Sequence, residues 1–333
     1  MTTKLLITGS AGFLGGRTAK YFASQKEKYS VVATSRRSER QDELEENNCL
    51  FIPGDLLKLN HCDEITKDID VVVHCAALSS PWGNYRDFYQ ANFEATQNLL
   101  EASLKNKVNK FILISTPSIY FNYKDRFSVK ESDMLPPTIV NHYASTKLLA
   151  EEMVLKQNGE GIHTLALRPR AIIGAEDAVI MPRLIRAYHS GKLKIIGDGK
   201  NICDLTCVRN VIEAIECSIN AEQHAMGKAY NICNGEPVIL WDKINILLRE
   251  LGLKEVKKKV PLSLALLFAS IIEKKHKLLR IRREPDLTKY GLATLAISMT
   301  LDISKAKQLL NYTPVQSIDE GLMEFTEWFK AAK

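Results

Sequence analysis

The sequence predicts an α/β architecture: a doubly wound parallel sheet followed by a smaller mixed α/β domain. Three observations carry this. Short apolar runs alternate with longer stretches of helical periodicity through the first half, a glycine-rich turn joins the first run to the first helical stretch, and the alternation loosens after Arg168.

The runs KLLIT, SVVAT, CLFIP, DVVVH, KFILIS and HTLAL read as six strands. Most are apolar throughout, as strands covered on both faces of a parallel sheet are. Between them, FLGGRTAKYFASQ, YRDFYQANFEATQNLLEAS and HYASTKLLAEEMVLKQ have helical spacing, which completes a Rossmann-type nucleotide-binding pattern over 1–168. Beyond it, LKIIG and AYNIC read as short strands, and helices are expected near 181–190, 208–221, 240–251 and 317–330. Residues 169–333 are therefore expected to form mainly a substrate-binding domain, with 203–226 packing back on the first. No repeat, low-complexity tract or Gly/Ser linker separates the halves, so a shared cleft is expected between them.

Composition narrows the function classes. The chain of 333 residues is 45% hydrophobic and 25% charged, with a formal net charge of +6. The basic excess is local: residues 254–289 hold 11 Lys or Arg against 4 Asp or Glu. That segment lacks the interleaved aromatics of a nucleic-acid surface, so no nucleic-acid partner is expected. Seven cysteines without a C-x-x-C, most of them inside apolar runs, suggest reduced thiols and a cytoplasmic setting, and no metal site. MTTKLLITG enters a strand directly, so no secretory leader is expected. The longest apolar stretch, VPLSLALLFASII at 260–272, has 13 residues, short of the roughly 20 that span a bilayer.

The glycine-rich turn, ITGSAGFLGG, ends the first strand and opens the first helix. Gly9 suits a tight turn, Gly12 lets the backbone approach a pyrophosphate at the helix N-terminus, and Gly15 allows close helix-to-strand packing, with Thr8 at the strand end. After the second strand the sequence VVATSRRSER offers no acid between Val31 and Ser38, where one would hold the ribose 2′-hydroxyl of NAD. Arg36 and Arg37 suit a 2′-phosphate instead, so NADP(H) is favoured over NAD(H). Asp55 in the GD dipeptide after the third strand lies where an adenine contact is expected.

Catalytic chemistry is suggested by Tyr143 and Lys147. Tyr-x-x-x-Lys occurs three times, at Tyr120, Tyr143 and Tyr188, where chance gives roughly one. Tyr120 follows a strand and the Tyr188 pair contains Gly191, whereas Tyr143 and Lys147 begin an amphipathic helix and share a face. A phenol with a pKa of about 10 needs a downward shift of about 3 units, roughly 4 kcal/mol, to exchange a proton efficiently near pH 7. The lysine charge is expected to supply it, helped by an oxidised nicotinamide.

The motifs TGSAGFLG, VVVHCAA, NFEATQNLLEA, STPSIY, YASTK and LRPRAIIG resemble those of the extended short-chain dehydrogenases/reductases over essentially the whole chain. SPWGNYRDFYQAN, STPSIYF and GDGKNICDLTCVRNV are most similar to the branch that holds 3β-hydroxysteroid dehydrogenases, sterol-4-carboxylate 3-dehydrogenases and 2-alkyl-3-oxoalkanoate reductases. The resemblance implies that Thr116 pairs with Tyr143 on the reacting carbonyl, with Ser115 and Ser118 as alternatives, and that Lys147 holds the nicotinamide ribose. Asn92 would support a water-linked proton path to Lys147, or mend a helix irregularity. Ala11, Phe13, Leu14, Ser35, Leu56, Cys75, Ala76, Ala77, Ser115, Arg168 and Pro169 would complete the cofactor contacts, with Asn92, Tyr143 and Lys147 among them.

Within that superfamily, sugar-nucleotide epimerases and dehydratases are the rival expectation. Pro117 and Ser118 stand where dehydratases carry Asp-Glu, and Cys203 stands before Asp204 where many sugar-nucleotide enzymes carry an arginine for the pyrophosphate. The expected activity is an NADP(H)-dependent interconversion of a ketone and a secondary alcohol on a hydrophobic, steroid-like or long-chain molecule. A non-catalytic NADP-binding sensor is the alternative of another class. The 260–283 region, apolar and then basic, suits a lid, a peripheral membrane contact or a core helix with a solvated end. A homodimer through the helices at 85–105 and 142–157 is a further expectation drawn from the resemblance.

Overall fold

The computed structural model describes residues 2–281 and 283–331. Its centre is a parallel seven-stranded sheet in the order Ala229–Ile232, His163–Pro169, Lys110–Ile114, Val71–His74, Thr3–Thr8, Tyr29–Thr34 and Cys49–Phe51. Alternate residues face opposite sides: Leu5, Ile7, Val71 and Val73 join one core, while Leu6, Val72, Phe111 and Leu113 join the other. The order reverses between Thr3–Thr8 and Val71–His74, so a crevice opens beyond their carboxyl ends, at Gly9 and Cys75.

The first six strands stand where the apolar runs placed them. The seventh does not: Ala229–Ile232, read from sequence as part of the smaller domain, pairs in parallel with His163–Pro169. A parallel pair needs a crossover, and helix Val208–Asn220 provides one, packing on helix Phe13–Ala23 and on two central strands. A four-residue apolar piece carries no signal of which sheet it joins.

The smaller domain is built on a four-stranded sheet of Val238–Ile239, Ile202–Cys203, Met299–Leu301 and Arg126–Val129, the last borrowed from the first half of the chain. Helices Leu240–Glu250, Leu262–Leu278, Lys289–Thr294 and Ile318–Ala331 belong to the same half of the chain, the first packing on Val238–Ile239 and on Ile318–Ala331, and the second on the third. Arg17 on the first helix ties the halves together, donating to the Ala175 carbonyl and pairing with Glu324 at 2.7 Å.

The long helix expected over 85–105 is broken. An α-helical turn at Tyr85–Tyr89 passes through a π-helical turn at Gln90–Glu94 into helix Ala95–Lys105. Asn92 sits fully buried in the widened turn.

Candidate active site

The glycine-rich turn has the geometry its residues allow. Gly9 is at φ +71°, and a Cβ there would meet the Ala76 backbone at 2.8 Å; a Cβ on Gly15 would lie 2.4 Å from the Gly9 carbonyl oxygen. Thr8 Oγ1 accepts from the Ala76 N–H at 3.2 Å and hydrogen-bonds His74 Nδ1 at 2.7 Å, which fixes the fourth strand's end against the turn. Burial, aided by the nearby Lys147 charge, pushes His74 down to about 3, so it is neutral and structural.

A cavity of about 680 Å³ opens at this crevice. Gly9 and Gly12 line one end, Ser35, Arg36 and Arg37 another, and Asp55, Leu56, Cys75, Ala76 and Ala77 the wall between. Asp55 turns one oxygen to the Leu57 N–H at 3.1 Å. Both arginines are exposed, and among the described residues the Arg37 guanidinium has only a loose partner, Glu39 at 3.6 Å. The arrangement fits a dinucleotide: small residues where a pyrophosphate meets a helix start, and guanidinium groups beside the second strand.

The Arg168 side chain is buried and gives its guanidinium to Glu151 and to the Tyr120 hydroxyl, and the Phe13 ring is in the core at the first residue of its helix. Ala11 and Leu14 are partly buried around the turn, and Pro169 ends its strand opposite Ile232.

Tyr143 is the second residue of helix His142–Lys156, whose start Asn141 caps by accepting from the Ala144 N–H at 2.8 Å. Lys147 follows one turn later and is 1% exposed. Among the described residues its ammonium makes no hydrogen bond or ion pair, and burial lowers its pKa to about 8, partly offset by Glu151 and Cys75. A buried ammonium without a partner beside Cys75 suits a ligand's hydroxyl groups. Ser115 Oγ is likewise buried and unpartnered.

The phenol departs from expectation. In the protein itself the Tyr143 pKa is raised, because burial outweighs the Thr116 and Ser79 hydroxyls that lower it, and Tyr290 adds to the rise. The expected downward shift is therefore corrected: the chain alone keeps Tyr143 a neutral acid.

The other two Tyr-Lys matches are structural. Tyr120 is fully buried with its hydroxyl on Asn231 at 3.0 Å, and Tyr188 accepts from the Lys254 N–H at 2.9 Å. Thr116 caps the turn Pro117–Tyr120, accepting from the Ser118 N–H at 3.2 Å, and its hydroxyl donates to Ser118 Oγ at 3.0 Å. Asn92 accepts from the Leu78 N–H at 2.7 Å and donates to the Leu78 carbonyl and to Thr146 Oγ1. Both its donors are thus spent on aligning the loop after the fourth strand with the helix of Tyr143.

Sequence reasoning missed Ser79 and Tyr290. Ser79 has no distinguishing spacing in the stretch after the fourth strand, and Tyr290 lies far along the chain on helix Lys289–Thr294, so only the tertiary fold brings either to Tyr143.

A second cavity, about 710 Å³, is lined by Asn141 and His142, the two residues that immediately precede Tyr143. Trp82, Tyr85, Phe88, Tyr123 and Tyr290 give it aromatic walls; Lys277, Arg280 and Lys289 make its rim basic, against Asp87 and Glu273. The cavity is therefore mixed, aromatic and charged at once. Cys203 and Asp204 are both buried, and Asp204 accepts from the Leu301 N–H at 2.6 Å, holding the smaller domain's sheet. No group of three or more metal-ligating side chains is placed to hold a metal ion among the described residues.

Residues 6–264 match the 3-beta hydroxysteroid dehydrogenase/isomerase family. A 2-alkyl-3-oxoalkanoate reductase of Shewanella oneidensis is 31% identical over 95% of this chain and 84% of its own. A decarboxylating sterol-4-alpha-carboxylate 3-dehydrogenase of Mus musculus is 28% identical over 98% and 91%. Among solved structures, UDP-glucuronic acid 4-epimerase from Bacillus cereus in complex with NAD superposes with a TM-score of 0.77 at 26% identity, covering 99% of this chain and 97% of that one. With the glycine turn, the crevice and the Tyr143–Lys147 helix in place, the chain belongs to the 3-beta hydroxysteroid dehydrogenase/isomerase family of the extended short-chain dehydrogenases/reductases and is an NAD(P)-dependent oxidoreductase of hydroxyl and keto groups.

Proposed function

We propose that the protein is an NADP(H)-dependent reductase of a ketone in a hydrophobic, long-chain or steroid-like molecule that carries a carboxylate near the reacting carbon. The observation that supports this reading best is the cavity beside Tyr143, which joins aromatic walls to a rim of Lys277, Arg280 and Lys289. Aromatic walls suit an apolar body, and three cations suit an anion. The relatives named for 2-alkyl-3-oxoalkanoate and sterol-4-alpha-carboxylate fit the same description.

Bound NADPH supplies the hydride. Arg36 and Arg37 hold its 2′-phosphate, and Lys147 holds ribose hydroxyls. Tyr143, kept neutral by burial, hydrogen-bonds the carbonyl oxygen together with Thr116 and gives it a proton as the carbon is reduced; Lys147 restores that proton. Ser79 and Asn92 keep the phenol and its helix aligned with the cofactor crevice.

The test is NADPH consumption with three substrate sets: long-chain 3-oxoacids, matched neutral ketones, and UDP-sugars. Turnover should favour the acids over the neutral ketones by tenfold or more. Activity confined to UDP-sugars would overturn the reading in favour of an epimerase-like site.

A further inference from the structure

Gly16 follows Gly15 in the first helix, and it makes room for Arg40. A Cβ on Gly16 would lie 2.5 Å from Arg40 Nη1 and 2.8 Å from the Ser10 carbonyl oxygen. Without one, the guanidinium lies across the helix and Nη1 comes within 3.5 Å of the Gly12 carbonyl oxygen. Arg40 there enters a square of alternating charge. Its Nε and Nη2 hold the Glu43 carboxylate at 2.7 and 2.9 Å, and Nη2 also pairs with Glu176. Lys20, one turn beyond Gly16, pairs with Glu43 at 2.6 Å and with Glu176 at 2.5 Å. The Arg40, Lys20 and Glu176 side chains are only 18%, 20% and 19% exposed, so solvent screens their pairs less than it screens a surface ion pair.

The square joins the cofactor loop to the second half of the chain. Residues 36–39, after the second strand, are exposed, and Arg36 and Arg37 among them line the cofactor cavity. The Gly54 N–H holds the start of this loop, donating to the Ser35 carbonyl at 3.0 Å, and Arg40 holds its end. Glu176 is itself firmly placed. The Ala175 carbonyl before it accepts from Arg17 at 3.2 Å, and Asp177 after it accepts from the N–H groups of Val179, Ile180 and Met181. Glu176 takes a φ of +70°, a region that costs a residue with a side chain free energy, and its two ion pairs offset that cost.

We propose that Arg40 and Glu176 are positioning residues for cofactor choice: their pair, seated on Gly16, fixes the exposed loop so that Arg36 and Arg37 meet the 2′-phosphate. The proposal rests on the reading that Arg36 and Arg37 hold that phosphate. The described residues that line the cofactor cavity include neither Arg40 nor Glu176, so both act through the loop. NADH lacks the phosphate and makes no use of the loop's arginines. Loosening the pair therefore costs NADPH affinity and spares NADH, whereas a tie that served only to hold the two halves together would affect both cofactors alike or neither.

The experiment is fluorescence titration of the full chain with NADPH and with NADH, in the wild type and in E176Q, R40Q, R40Q/E176Q and R36A/R37A. E176Q is the decisive variant, because it lies outside the cofactor loop and Arg17 and Asp177 still hold its backbone. It should keep the wild-type circular dichroism spectrum, weaken NADPH by about threefold to tenfold and leave NADH within about twofold. R40Q should act in the same direction, and R40Q/E176Q should cost less than the two single losses combined, since both break one tie. An NADPH-to-NADH ratio unchanged in E176Q while it falls in R36A/R37A overturns the inference, and a fall in R40Q without one in E176Q does so too, because Arg40 would then touch the phosphate itself. Equal losses for both cofactors in E176Q overturn it as well. A ratio unchanged in R36A/R37A would instead remove the reading on which the proposal rests, and the proposal with it.

Discussion

The Tyr290 hydroxyl lies 2.8 Å from Ser118 Oγ, and Ser118 Oγ lies 3.0 Å from Thr116 Oγ1. Three hydroxyls thus run from a helix of the smaller domain to the end of the fifth central strand. The chain ties the smaller domain to Thr116, the hydroxyl proposed to meet the carbonyl. Tyr290→Phe should lower kcat about fivefold to tenfold, the worth of about 1 kcal/mol of hydrogen bonding, with NADPH affinity unchanged. Steady-state kinetics with both substrates varied checks this.

Arg36 and Arg37 line the cofactor cavity, and among the described residues their guanidinium groups are held by nothing stronger than the 3.6 Å approach of Glu39 to Arg37. Replacing both by Ala should raise the KM for NADPH by ten- to a hundredfold and leave that for NADH within about twofold, since only the former carries the 2′-phosphate. Equal losses for both cofactors would show that the pair does not read the phosphate.

Lys147 makes a prediction about pH. Its pKa falls from 10.5 in the unfolded reference to about 8 in the fold. Between those values the unfolded chain binds more protons, so this residue makes stability rise with pH across that window, and below it the buried charge costs roughly 3 kcal/mol. Lys147→Met should therefore raise the unfolding midpoint at pH 7 while removing nearly all turnover. In the wild type, kcat/KM for reduction should decline as pH rises through about 8, as the ammonium loses its proton. Chemical denaturation from pH 7 to 10 and a pH-rate profile test both halves.

Asn92 joins Leu78 to Thr146 across a π-helical turn. Asn92→Leu leaves the Leu78 N–H without its acceptor and should destabilise the protein by about 1–3 kcal/mol, with a drop in kcat larger than any change in cofactor affinity. Urea titration beside kinetics measures the two effects.

The sheet was readable because its strands are continuous apolar runs, and the glycine turn because Gly9 and Gly15 stand where side chains would collide with Ala76 and Gly9. The Tyr143 helix was separable from two decoys because it alone has clean helical spacing, while Tyr120 follows a strand and Gly191 interrupts the Tyr188 pair. What sequence did not reveal depends on distant contacts. Ala229–Ile232 joins the main sheet through a pairing 63 positions away, Arg168 is claimed by Glu151, and Tyr290 reaches the site from the far end of the chain. The phenol's upward shift was hidden for a similar reason, because spacing shows that a lysine is one turn away but not how much water both groups lose.

The central claim is that Tyr143 is the proton donor to the reacting oxygen, and single-turnover oxidation of bound NADPH by a ketone substrate tests it most directly. Tyr143→Phe should bind NADPH as the wild type does and slow that step by 10² to 10⁴. Hydride transfer at the wild-type rate in Tyr143→Phe would contradict the account.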